Sequence, residues 1–245
     1  MLVISPHLDD GVFSCGRWLA GHPGSTVLTV FAGAPGAESA LTEWDACCGF
    51  DSGTEAVRLR REEDRRALEL LQASPCWLEF TDSQYGPSPS VDAVADALRR
   101  ELDARRPAVV LYPLGLFHSD HRLVHEACRA ALAGSTGIEA AAYEDALYRG
   151  MRGMLQQRLA ALAAAGIAAT PVELDALPTS SPRAPIDAAG AAQDAAGAAR
   201  LKAGAVDAYA SQLRAFGAGG HADLERPERG WRLEPIAPAD EAGHA

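Results

Sequence analysis

Ser5-Pro6-His7-Leu8-Asp9-Asp10 sets one imidazole and two carboxylates within a single turn of chain. Adjacent aspartates repel when both are ionised, and a cation beside them relieves the repulsion. Far downstream, His118-Ser119-Asp120-His121 adds two more imidazoles and another carboxylate. Taken alone, the first cluster is also what a polar turn with an aspartate cap looks like. Taken together, His7, Asp10 and His121 form a ligand set of two imidazoles and a carboxylate, which suits zinc and leaves a fourth position for water. Iron(II) or another divalent ion is compatible with the same donors. Such an ion lowers the pKa of a bound water to about 7. Asp9, two residues after His7, is not needed as a ligand and is free to take a proton from that water as general base. His118 lies three residues before His121, so its ring can face the same cavity. There Asp120 is expected to hydrogen-bond it and favour an imidazolium that stabilises an oxyanion or protonates a leaving amine. The other reading of His118 is a cap for the helix that follows.

These residues need elements that bring them together. Leu2-Val3-Ile4 reads as a buried strand, and Gly11 to Ala20 reads as a helix with Gly16 placed for close packing on a sheet. Val109-Val110-Leu111-Tyr112-Pro113 reads as another strand, and Arg122 to Ala133 as another helix. Strand, histidine-bearing turn and helix thus occur twice. In a parallel sheet both turns open at the carboxyl edge of the strands. Between them, Thr26–Phe31 and Cys76–Phe80 read as strands, and 54–72 and 91–104 as helices. The alternation predicts an α/β fold: a Rossmann-like three-layer sandwich with a mainly parallel sheet and the site at its C-terminal edge. After Gly134 the pattern loosens into a strand at 138–143, a helix at 151–165 and a strand at 167–174. An alanine-rich helix runs to Phe216, weakened near Gly190 and Gly197. Residues 1–216 are expected to form one domain and 217–245 a weakly ordered tail, with Trp231 pinning part of it to the body.

The two histidine turns, as a pair, resemble those of the LmbE-like, or PIG-L, family of zinc-dependent N-deacetylases, whose usual motifs are His-Pro-Asp-Asp and His-Pro-Asp-His. The likeness extends to Arg60-Arg61-Glu62-Glu63, to Thr81-Asp82-Ser83-Gln84-Tyr85, and to Lys202 with Tyr209-Ala210-Ser211-Gln212, so it covers most of residues 1–215. Leu8 and Ser119 stand where proline is usual, which bears on the stiffness of the turns and not on the ligands. The resemblance implies a hydrolase that removes an N-acetyl group from an amino sugar or sugar-bearing metabolite. It assigns the base to Asp9 and carries substrate contacts to Arg60, Asp82 and Glu144. Arg60 is otherwise a surface arginine on a charged helix face, and the run Tyr143-Glu144-Asp145 equally reads as an edge turn.

Composition bounds the alternatives. The chain has 245 residues, 48% hydrophobic and 22% charged, with a net charge of -11. That balance argues against a nucleic-acid partner and against docking on an anionic membrane. No run is long and apolar enough for a membrane span, and the N-terminal apolar stretch feeds the site, so a cytoplasmic protein without a signal peptide is expected. The expected partner is a small N-acetylated sugar or glycosylated metabolite; a homo-oligomer is compatible with the sequence. Five cysteines without framework spacing suggest reduced thiols. Cys47-Cys48 is either a metal or disulfide pair or an incidental one. His125, four residues after His121, is either a fourth ligand, a support for a ligand or a surface residue. Residues 33–53 form a long connection at the same sheet edge, read as a lid or pocket wall or else as an unstructured insertion. Other readings are a zinc amidase acting on another acyl group, a non-catalytic metal or sugar binder, for which Asp9 and His118 have no use, and a phosphate-binding α/β protein. The last lacks its Gly-rich loop after the first strand.

Overall fold

The computed structural model describes residues 1–36, 39–177 and 188–236. Seven strands, β1 (Leu2–Ser5), β2 (Thr26–Thr29), β3 (Ser74–Trp77), β4 (Val109–Pro113), β5 (Glu139–Tyr143), β6 (Ile167–Val172) and β7 (Gly230–Pro235), form one sheet in the order β3-β2-β1-β4-β5-β7-β6. The first five pair in parallel, and β7 runs antiparallel to both β5 and β6. The helices are α1 (Asp10–Ala20), α2 (Glu43–Cys48), α3 (Gly53–Leu70), α4 (Val91–Arg105), α5 (Ser119–Leu132), α6 (Met154–Ala164), α7 (Ala188–Asp207) and α8 (Ala210–Phe216).

A strand covered on both faces needs apolar side chains at every position. In β1 successive residues serve opposite layers. Val3 packs with Val12, Phe13, Trp18 and Leu68 from α1 and α3, while Leu2 and Ile4 pack with Val94, Leu98 and Val124 from α4 and α5. In β4, Val109 and Leu111 serve the first core and Val110 and Tyr112 the second. Helices on both faces of a mainly parallel sheet give the expected three-layer arrangement. The order reverses at β1, with β2 on one side and β4 on the other, and the crevice above such a reversal is where α/β proteins bind ligands.

Three departures from expectation have physical causes. Residues 33–53 are not structureless. Thr42 caps α2 by accepting from the Asp45 backbone N–H, and the helix docks on α8 through Trp44, which lies 5.5 Å from the Phe216 ring. The alanine-rich helix breaks between α7 and α8 rather than at its glycines, because Tyr209 is drawn inward and donates its hydroxyl to Asp64 Oδ1 at 2.8 Å. The segment after Gly217 is not a loose tail as far as Ile236. Ala222–Glu225 form a 3₁₀ turn, and β7 is inserted between β5 and β6 with six residues paired to β6. The motif pattern hid this, because Gly230-Trp-Arg-Leu-Glu-Pro follows a run of charges interrupted by Pro227. Gly16 faces α7 and not the sheet: a Cβ there would lie 2.8 Å from Lys202 Cγ. No helix of the described residues is long and apolar enough to cross a membrane.

Candidate metal centre

The turn after β1 is tied by Ser5, whose Oγ accepts from the Gly11 N–H at 2.8 Å and donates to the His7 carbonyl at 2.6 Å. These bonds hold the turn that lacks the family's proline. Asp9 precedes the first residue of α1 with φ -166°, and its carboxylate makes no capping bond, so it stays free to face the cavity. Asp10 Oδ2 accepts from the His7 backbone N–H at 2.9 Å and lies 3.1 Å from His7 Nδ1. The same oxygen lies 3.1 Å from His121 Nε2. His7, Asp10 and His121, from opposite ends of a long stretch of sequence, thus converge as expected. Each offers one ligand atom, all within 4.8 Å of one another.

Each histidine is oriented by a carboxylate. His121 Nδ1 is 2.6 Å from Asp145 Oδ1, and Asp145 Oδ2 accepts from the Gly115 and Leu116 N–H groups. Gly115 takes φ +77°, and a Cβ there would press on His125 Cβ at 3.0 Å, so glycine is what this turn admits. His7 Nε2 is 3.1 Å from Asp120 Oδ2, which also accepts from the Ser83 N–H. A carboxylate on the far nitrogen of a ring fixes its tautomer and raises its basicity, the usual support of a metal-binding imidazole. His121 Nε2 is buried and makes no hydrogen bond to any described residue. A buried ring nitrogen left open beside a carboxylate oxygen fits a divalent cation. A second group, His7, His118 and Asp120, also meets the distance criterion. There, however, Asp120 Oδ2 is already engaged with His7 and Ser83, and we take it as the support of the first group.

Asp120 does not hydrogen-bond the His118 ring, contrary to expectation. Its backbone N–H donates to His118 Nδ1 at 3.2 Å, so His118 caps α5, and the Asp120 carboxylate is drawn away to His7. Burial, with His7 and His121 nearby, lowers the His118 pKa, so without a metal the ring is a neutral imidazole rather than the expected imidazolium. Burial alone would lower His7 and His121, but carboxylates win. Asp82, Asp10 and Asp120 raise His7 well above its usual value, and Asp10 and Asp145 raise His121 to about 9. Asp10 is held well below the usual carboxylate range, because the two imidazoles outweigh its burial. Burial and the neighbouring Asp10 charge push Asp9 up to about 7.

The cluster opens into a cavity of about 530 Å³. His118, Asp82, Arg60 and Tyr148 line it with Asp9, and Trp44 and Phe216 wall one side. Arg60 is buried and faces inward: it pairs with Asp45 Oδ1 at 2.8 Å and lies over the Phe50 ring. Asp82 Oδ2 is 3.7 Å from His7 Nε2. Glu144 does not line this cavity. Its Oε1 accepts from Trp231 Nε1 at 3.0 Å, and it faces a separate arginine-rich pocket, because the inserted β7 pulls it to that side. His125 is a core residue, with Nδ1 2.9 Å from the Pro113 carbonyl. Cys48 is buried with Sγ 3.3 Å from Arg60 Nη2, Cys47 is exposed, and neither belongs to a metal-capable group among the described residues. Asp145, Asp45 and Tyr148 were not singled out from sequence. Asp145 had one legible sign: it follows the fifth strand at the edge where both histidine turns emerge.

Fold and site together define an α/β protein with a candidate divalent-metal centre of two histidines and an aspartate at the carboxyl edge of its sheet. The family model described as PIG-L, GlcNAc-PI de-N-acetylase, matches residues 2–132. The chain belongs to the PIG-L (LmbE-like) family. It is similar to 2'-N-acetylparomamine deacetylase of Streptomyces fradiae, at 32% identity over 173 residues, covering 62% of this chain and 58% of that protein. The chain therefore spans somewhat over half the length of that curated relative. Among solved structures it is similar to the zinc-inhibited form of teicoplanin deacetylase Orf2, with a TM-score of 0.71 at 22% identity, covering 98% of this chain and 99% of that one. It is also similar to the A40926 pseudoaglycone deacetylase Dbv21, with a TM-score of 0.69 at 24% identity, covering 97% and 98%. At these identities the structural likenesses establish the fold.

Proposed function

We propose that the protein is a zinc-dependent N-deacetylase that hydrolyses the acetamide of an amino sugar or of a glycosylated metabolite. The observation that carries this reading is the free Asp9 carboxylate beside the converged His7–Asp10–His121 set. A binder would need the three ligands alone. Family membership and the names of the relatives, deacetylases of 2'-N-acetylparomamine, of teicoplanin and of the A40926 pseudoaglycone, support the same reading.

His7 Nδ1, Asp10 and His121 Nε2 are the residues that would hold the ion. When bound there, a divalent ion supplies a Lewis acid for the carbonyl and lowers the pKa of a water. The chain's own residues do the rest. Asp9, with a pKa near neutrality in the metal-free site, takes the proton from the attacking water, because a base works best when its pKa is close to the working pH. His118, with Nδ1 occupied by the Asp120 N–H, presents Nε2 to the cavity. Its Nε2–H hydrogen-bonds the developing oxyanion, and the proton that Asp9 takes from the water passes to the leaving amine as the C–N bond breaks. Asp120 and Asp145 keep the two ligand rings in register. Arg60 and Asp82 on the cavity wall bind sugar hydroxyls. Zinc is the first choice on ligand chemistry, and iron(II) the second.

The test is acetate release from a panel of N-acetylated amino sugars by chelator-stripped protein reloaded with zinc, iron(II) or magnesium. The expected result is turnover restored by zinc or iron and not by magnesium. Metal uptake at one equivalent with no acetate from any member of the panel would favour the binding module instead.

A further inference from the structure

Tyr148 is unaccounted for by the roles above. It sits on the turn after β5, in the 3₁₀ segment Tyr148–Gly150, and lines the metal cavity. Its ring stands edge-on to His121 at 5.2 Å and stacks on His118 at 6.5 Å. It therefore lies against one ligand ring, His121, and against His118 in the same cavity wall. Tyr148 is half-buried, and its phenol makes no hydrogen bond to any described residue, which leaves the O–H for a molecule in the cavity.

The backbone that delivers this ring is strained. Leu147 takes φ +68° and ψ -47°, a conformation that a branched residue rarely adopts. Gln72 and Arg106, the other non-glycine residues with positive φ among the described residues, end helices away from the site. Leu147 is held by Asp223, whose Oδ2 accepts from the Leu147 N–H at 3.0 Å and from Arg149 Nε at 2.7 Å. The Arg149 guanidinium also donates to the carbonyls of Asp223 and Pro227. A buried clamp from the segment before β7 thus forces a costly turn, and the result is one aromatic ring with a free donor against His121 and His118.

Resting on the deacetylase reading, we infer that Tyr148 is a further catalytic residue: its hydroxyl donates a hydrogen bond to the acetamide carbonyl oxygen and strengthens it as negative charge develops there. A phenol that keeps its proton is a donor, and burial and the nearby Asp10 and Asp9 charges raise Tyr148 above its usual value, so the proton stays on at neutral pH. No bond to Tyr148 forms or breaks, and its proton stays on the phenol throughout. A donor fixed before the reaction contributes most when it is aimed at charge that appears only in the transition state.

Tyr148→Phe keeps the ring and its packing on His118 and His121 and deletes the donor. In zinc-loaded protein we expect kcat to fall about 100-fold, with KM, bound zinc and Tm near their wild-type values; loss of one such donor costs 10²–10³-fold in other enzymes. A glucosamine carrying a tetrahedral methylphosphonamide in place of the acetamide gives a second reading without turnover. Calorimetry should show Tyr148→Phe binding this analogue at least tenfold more weakly than wild type, and binding N-acetylglucosamine equally well in the Asp9→Asn background. If wild type turns over and Tyr148→Phe stays within twofold in both kcat and analogue affinity, Tyr148 is only a wall of the pocket and the inference fails alone. If wild type neither turns over nor binds the analogue, the deacetylase reading fails and takes this role with it.

Discussion

Asp9 and Asp10 are neighbours in sequence with opposite fates. Asp10, pressed between two imidazoles, is held ionised, while Asp9 is pushed up to about 7 by burial and by the Asp10 charge. Groups whose surroundings drive their pKa values apart are suited to different tasks, and in the proposed mechanism one turn supplies both a ligand and a base. Asp9→Asn should therefore retain one equivalent of zinc and lose about 10³-fold in kcat, read by metal analysis and acetate release. If the variant kept full activity, the base would have to be sought elsewhere. Asp145→Ala removes the carboxylate behind His121 and should weaken zinc about 10–100-fold with the three ligands intact, measured by competition against a chromogenic chelator. The convergence of His7, Asp10 and His121, the residues proposed to hold the ion, was legible because imidazoles and carboxylates at turn spacing have few other uses in such company. Asp145 was not, since a lone carboxylate after a strand carries no pattern until its partner ring is seen. The Asp120–His118 pairing was misread for a related reason: proximity in sequence suggested it, and His7 from another turn took the carboxylate.

At the scale of elements, α2 and α8 form the wall that residues far apart in sequence build against Arg60. Arg60 is 5% exposed and depends on Asp45, which also accepts from the Tyr85 hydroxyl. Removing one partner leaves a buried charge uncompensated, so Asp45→Ala should cost about 3 kcal/mol in urea unfolding and raise KM by loosening the wall. An unchanged midpoint would mean that water reaches Arg60 freely. The core strands and the helices between them were legible because their apolar periods are long and both faces of the sheet are covered. α2 was not, being six residues in a Gly- and Ala-rich stretch. Nor was the break at Tyr209, whose cause is a hydrogen bond to a distant helix.

At the scale of the molecule, the interior holds ionisable groups that tie stability to pH. His125 is forced by burial, and by Arg158 nearby, down to about 3. An unfolded histidine titrates near 6.5, so this group's contribution is fully present above that pH and is lost as pH falls from about 6.5 towards 3. Thermal melts from pH 7 to 4 should decline more steeply for wild type than for His125→Gln, whose amide can still reach the Pro113 carbonyl. Parallel slopes would remove His125 from the acid response. The parallel half of the sheet was readable as alternating elements, whereas β7 was obscured by prolines and charges and by a position in the sheet that local pattern does not encode. Deleting residues 230–245 should therefore do more than trim an end. It leaves β5 and β6 without their shared neighbour, and the expected product is insoluble or lacks a cooperative melt, where loss of a peripheral tail would leave the melt intact.

That same strand fixes an order of events during synthesis. β6 leaves the ribosome some sixty residues ahead of β7, yet it has no place to bind until β7 has seated itself beside β5. A growing chain can close its parallel half early, but it must carry a bare β5 edge and an unhoused β6 until the later segment arrives. The clamp on Leu147 comes from the stretch just before β7, so the cavity acquires its Tyr148 wall only in this late step.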